Sequence, residues 1–154
     1  YITNSQKVKI VSGFPGIGKS SINNNSALNL GEYRIRTNKL DRHTYFSLIL
    51  EAIISGEYNL IFVSAKTETR QFLENNFLKY NLVYPAKNLK EEYLERYKRR
   101  NTVPGYSNTQ SFVNNMNKKW NVIINDYYQY KSTFCKHIIL KKGQFLSNVL
   151  DDLR

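Results

Sequence analysis

The chain alternates short apolar runs with longer stretches in which apolar residues recur every three or four positions. Residues 7–12 contain Val8, Ile10 and Val11, and residues 58–63 read Tyr58-Asn59-Leu60-Ile61-Phe62-Val63. Two further runs, 82–84 and 137–140, are shorter, and Pro85 closes the first because proline cannot extend a sheet ladder. Runs of this length and composition read as strands buried on both faces. Between them lie helical patterns. Residues 41–55 place Tyr45, Leu48, Ile49, Ala52 and Ile53 on one stripe, with Asp41 as N-cap and Gly56 as stop. Residues 68–78 carry Phe72, Leu73 and Phe77, and residues 89–100 form a charged helix halted around Pro104-Gly105. A long helix over 108–130 has the stripe Phe112, Val113, Met116, Trp120, Ile123, Ile124 and Tyr127, and 145–153 predicts a closing helix. The second strand is either 27–30 or 33–37, the latter favoured by its alternation. Strands separated by helices in this rhythm predict an α/β domain, a parallel sheet with helices on both faces.

The first strand runs into Gly13-Phe14-Pro15-Gly16-Ile17-Gly18-Lys19-Ser20, which fits G-x-x-x-x-G-K-[ST] at every position. A helix is expected to start inside this loop and run toward Asn25, although Asn23-Asn24-Asn25 makes a poor helix interior. Strand, glycine-rich loop and helix together predict a phosphate site. Gly13, Gly16 and Gly18 let the backbone curl so that amides point inward as an anion nest, and Pro15 and Ile17 are the further residues of this nucleotide-binding loop. Lys19 is expected to reach the β- and γ-phosphates of a nucleotide, and Ser20 to offer its hydroxyl to Mg²⁺.

Composition narrows this picture. The 154 residues suit one domain, 41% are hydrophobic, and no apolar run approaches a membrane span. A single cysteine, Cys135, excludes an internal disulfide and a cysteine-based metal cage, and predicts a reducing, cytoplasmic compartment. The net charge of +11 favours polyanionic partners, nucleotides or nucleic acid, with part of the excess simply solvated. Frequent Asn, Lys, Ile and Tyr match AT-rich coding sequence and hint at a phage or viral source.

With the loop, the strand rhythm and the basic helix taken together, the chain resembles the P-loop kinase superfamily, and most of all small phage nucleotide-kinase-like proteins and the kinase domain of phage polynucleotide kinases. The segments carrying the likeness are 13–20, then Ile61-Phe62-Val63-Ser64-Ala65 to Arg70, then Val83-Tyr84-Pro85 and Leu94-Glu95-Arg96-Tyr97-Lys98-Arg99-Arg100. The resemblance implies a three-layer P-loop NTPase fold over 1–154 whose parallel sheet has the order 2-3-1-4-5, with a short lid at about 86–107. It also implies ATP with Mg²⁺ and phosphoryl transfer to a nucleotide, a nucleoside or a 5′-hydroxyl nucleic-acid end. The arginine-rich helix would be the lid, with Arg96 and Arg100 ahead of Arg99 as the forked cations over the phosphates. The alternative is a solvated helix with Glu92–Arg96 and Glu95–Arg99 pairs. Arg70 would grip an acceptor phosphate or sugar, or else lie on the surface.

The acidic side departs from the family. Many P-loop enzymes end the third strand with Asp, where this chain has Ser64. Asn38-Lys39-Leu40-Asp41-Arg42 is similar to a segment of polynucleotide kinases, which implies Asp41 as general base and Arg42 as a ligand of the acceptor phosphate. A helix N-cap explains Asp41 equally well, and Glu32 and Glu68 are the remaining acids to consider. His43 and His137 form no metal or triad pattern, Trp120 and the Tyr127-Tyr128 pair read as core, and Cys135 receives no role. A nucleotide-binding component of a viral or nucleoprotein assembly, without transfer chemistry, is the second reading.

Overall fold

The computed structural model describes residues 6–22, 26–31, 42–99 and 109–154. Five strands, β1 (Lys9–Gly13), β2 (Ala27–Asn29), β3 (Leu60–Ser64), β4 (Tyr80–Pro85) and β5 (Cys135–Leu140), form one sheet in the order β2-β3-β1-β4-β5. All neighbours pair in parallel, with Val11 opposite Phe62 and Asn81, and Val83 opposite Ile138. Successive residues of β3 and β4 are buried, so side chains on both faces of these central strands are covered, as continuous apolar runs require.

Among the described residues, four α-helices connect or flank the strands: α1 (Arg42–Ser55), α2 (Thr67–Asn75), α3 (Lys90–Lys98) and α4 (Thr109–Gln129). Helix α1 ends where Gly56 takes φ 71°, the left-handed conformation that glycine adopts without a Cβ penalty. Helix α4 turns Phe112, Val113, Met116, Trp120, Ile124 and Tyr127 inward, as its periodicity predicts, and its indole donates to the Lys87 carbonyl at 2.9 Å.

Several expectations are corrected. Strand two is Ala27–Asn29, paired with β3, while the favoured segment 33–37 lies outside the described residues. β4 starts two residues earlier than expected and includes Pro85, which pairs with Leu140 at the strand end, where a missing N–H costs the ladder least. The glycine loop leads into a single 3₁₀ turn, Lys19–Ser21, after which Ile22 is extended. The predicted helix therefore does not continue through Ile22, and Asn23-Asn24-Asn25 lies outside the described residues. The closing helix is instead two 3₁₀ turns, Leu146–Asn148 and Leu150–Asp152, separated at Val149, whose φ of −124° lies outside the helical region although Leu146, Val149 and Leu153 are buried at helical spacing. Of the tyrosine pair, Tyr127 is core and Tyr128 is exposed. Among the described residues, no helix is long and apolar enough to cross a membrane.

Candidate functional site

The glycine loop leaves the carboxyl end of β1, at the centre of the sheet. Its first side chain, Phe14, is fully buried and meets Tyr93, Trp120 and Tyr127 edge-on at 5.5–6.3 Å between ring centroids. The Phe14 amide donates to the Val83 carbonyl of β4 at 3.0 Å. One aromatic side chain and one hydrogen bond therefore tie the start of the loop to the core.

From Pro15 onward the loop is held by its carbonyls. The Tyr97 hydroxyl donates to Pro15 O at 2.8 Å, Arg96 Nη1 to Gly16 O at 2.8 Å, and the Leu146 amide to Ile17 O at 2.7 Å. The Ser21 hydroxyl donates to Gly18 O at 2.8 Å. Each peptide unit here is trans, so its N–H points away from its carbonyl. Three consecutive carbonyls bound by α3 and by the turn at Leu146 thus turn the amides of Gly16, Ile17 and Gly18 the other way. Those amides have no acceptor among the described residues. Positive φ at Gly16 (88°) and Gly18 (95°) makes this possible, and a Cβ on Gly16 would lie 2.8 Å from the Tyr97 ring.

Lys19 folds back along the loop, its Nζ 3.1 Å from Gly13 O and close to Gly31 beyond β2. Ser20 is exposed. The structure thus brings Gly13, Pro15, Gly16, Ile17, Gly18, Lys19 and Ser20 together as the pattern predicts. The helix dipole that usually reinforces such a loop is missing, because one 3₁₀ turn follows it.

The arginines differ from expectation. Arg96 is not splayed over a cleft. Besides Gly16 O, it donates through Nη2 to Glu92 Oε2 (2.8 Å) and to Gln144 O (2.9 Å), and its Cζ lies over the rings of Tyr93 (4.2 Å) and Phe145 (3.8 Å). The predicted Glu92–Arg96 pair forms, whereas Glu95 pairs with Lys98 in place of Arg99. Arg70 is neither on the surface nor open to a ligand, with only 1% of its area exposed. Its Nε donates to Ala65 O, Nη2 to the Thr67 hydroxyl, and Nη2 lies 3.5 Å from Asp126, while its guanidinium stacks on Tyr130 and Tyr127. Nη1 has no partner among the described residues.

Arg42 is exposed in the first turn of α1. Asp41, Arg100 and Glu32 lie outside the described residues. At the end of β3, Ser64 is committed to internal bonds: its hydroxyl is 2.6 Å from that of Thr69, its amide donates to Tyr45, and its carbonyl accepts from Ser12. No group of three or more His, Cys, Asp and Glu that could hold a metal ion occurs among the described residues. His137 is structural, bridging the Tyr84 hydroxyl and the Tyr130 carbonyl, and the Cys135 thiol is buried, which pushes its pKa up.

Sequence reasoning missed Tyr97, Phe145 and Leu146, the groups that hold the loop. Tyr97 had a faint signal, since it lies four residues after Tyr93 on the buried face of α3. Phe145 and Leu146 had none, because their contact with the loop joins segments more than 120 residues apart. Beyond Glu92 lies a cavity of about 420 Å³ lined by Ala86, Asn88, Leu89, Glu92, Lys141 and Lys142, which includes no residue of the glycine loop. No family model matches the chain, and comparison with curated proteins gives no match.

Proposed function

We propose that residues 13–20 bind the phosphates of a nucleotide and that the protein is an ATP-dependent P-loop kinase. Its phosphoryl acceptor would be a nucleotide, a nucleoside or a 5′-hydroxyl nucleic-acid end. One observation carries the reading: among the described residues the amides of Gly16, Ile17 and Gly18 have no acceptor, while the carbonyls paired with them in each peptide unit are bound by protein donors. Unpaired amides on a concave loop are costly to keep unless water or an anion meets them, and a phosphate oxygen is the best-matched anion. Lys19, close by, supplies the positive charge that a triphosphate needs. A sheet of order β2-β3-β1-β4-β5 with the loop at the carboxyl end of its central strand supports the three-layer P-loop NTPase fold. In this reading the single domain is 1–154, and the 86–107 region borders the nucleotide.

Magnesium fits only in part. Ser20 has an exposed hydroxyl suited to it, and Mg²⁺ keeps several waters and shares phosphate oxygens, so it needs few protein ligands. It supplies charge neutralisation at the phosphates. Asp41 remains the proposed base and Arg42 the proposed acceptor ligand, with Arg100 as the arginine over the phosphates.

The second reading, a nucleotide-binding component without transfer chemistry, is favoured by Ser64, whose hydrogen-bonding groups are occupied within the protein where many relatives of this fold carry an acid. The test uses labelled ATP and Mg²⁺ with nucleoside monophosphates and 5′-hydroxyl oligonucleotides, beside a Lys19→Ala variant. Transfer to one acceptor, lost in the variant, is the expected outcome. Lys19-dependent ATP binding without transfer selects the second reading, and absence of ATP binding overturns both.

A further inference from the structure

We propose that Arg96 is a positioning residue for the glycine loop, and that it acts on phosphate only by holding that loop open. This rests on the reading of the loop as a phosphate site. An arginine that grips a phosphoryl group must present free N–H groups to it. Arg96 instead commits three of its five N–H groups, one on Nη1 to Gly16 O of the loop and two on Nη2 to Gln144 O of the segment after β5 and to Glu92 of its own helix. Its Cζ lies over the rings of both Tyr93 and Phe145, and its side chain is only 12% exposed.

The consequence is geometric. Fixing Gly16 O orients the Ile17 amide to the opposite side of the same peptide plane. Fixing Gln144 O holds the chain two residues before Leu146, whose amide binds Ile17 O at 2.7 Å and so orients the Gly18 amide. One guanidinium therefore sets two of the three open amides, one directly and one through its neighbour. Glu92 completes the device: it accepts from Arg96 and from the Gly143 amide, so the segment 143–146 is held at both ends of one ion pair. Among the described residues the loop is followed by one 3₁₀ turn and an extended Ile22, so the bracing falls to this contact. A lysine cannot substitute, since one ammonium cannot reach two carbonyls in different segments while lying flat between two rings.

The test compares Arg96→Lys and Arg96→Gln with the unaltered chain by two measurements. The first is site-resolved hydrogen exchange of the Leu146 amide without ligand. The second is binding of tripolyphosphate, which has no base and needs no acceptor. Both variants are expected to speed Leu146 exchange about tenfold or more and to weaken tripolyphosphate about tenfold. If exchange in both stays within about twofold of the unaltered chain, the proposal is overturned, whatever happens to affinity. If Arg96→Lys keeps both affinity and exchange while Arg96→Gln loses affinity alone, Arg96 contacts phosphate directly and the proposal fails. If the unaltered chain does not bind tripolyphosphate, the phosphate reading falls while the exchange result still decides the role of Arg96. Should neither variant fold, Glu92→Gln keeps the arginine and weakens its anchor. A faster Leu146 exchange in it supports the proposal, and an unchanged one overturns it.

Discussion

The two ends of the glycine loop are built on different principles. The entry, from Phe14 to Gly18, is held from one side by aromatic packing and by donors from α3 and the Leu146 turn. The exit, from Lys19 to Ile22, has a single 3₁₀ turn, an exposed Ser20 and the local bonds Ser21 to Gly18 and Ile22 to Lys19, while Lys19 Nζ reaches back to Gly13 O. The difference teaches that tertiary donors can orient the peptide planes of a glycine loop that, among the described residues, is followed only by a 3₁₀ turn. Buried, long-range contacts hold the backbone of the entry, whereas the backbone contacts of the exit among the described residues lie within one turn.

Substitutions should separate the two ends by size. Phe14→Ala removes the entry's anchor from a fully buried site among three aromatic rings. It is expected to cost about 3–5 kcal/mol in denaturant unfolding and to abolish ATP binding. A loss below about 1 kcal/mol would erase the distinction between the ends.

Alkaline pH should reach the entry next. Burial pushes the phenols of Tyr84, Tyr93 and Tyr127 up to about 12, with the Arg96 charge opposing the rise at Tyr93 and Arg70 opposing it at Tyr127. A raised phenol pKa means that the folded state holds the proton more tightly than the unfolded chain. The stability it contributes is whole below about pH 10 and is lost as pH climbs from about 10 to 12. Urea midpoints followed with tyrosinate absorbance should fall across that window, and the packing around Phe14 should loosen in the same transition. Stability that is flat to pH 12 would contradict the packing of these rings around the loop.

The smallest effect belongs to the exit. Ser21→Ala deletes an exposed local hydrogen bond to Gly18 O and should change stability by no more than about 0.5 kcal/mol. Its ATP affinity, measured beside Lys19→Ala, should stay close to that of the unaltered chain. A large loss for Ser21→Ala would show that the exit carries the loop's geometry after all.

The sequence by itself determined what depends on local pattern: the apolar runs of β1, β3, β4 and β5, the stripe of α4, the Gly56 stop and the spacing of the glycine loop. Hydrophobic period and glycine placement are local properties, and they hold whatever the neighbours are. Only the tertiary structure decided which of two weak segments became β2, since Ala27–Asn29 gains its strand character from pairing with Leu60–Phe62. It also decided the fate of the two arginines. Spacing marks Arg70 and Arg96 as cations on helices, but a guanidinium goes wherever acceptors and ring faces converge. For Arg70 these come from Tyr127 and Tyr130 of a distant segment, and for Arg96 from Gly16 and Gln144. Contacts of that kind are set by how the chain closes on itself, and no window of sequence contains both partners.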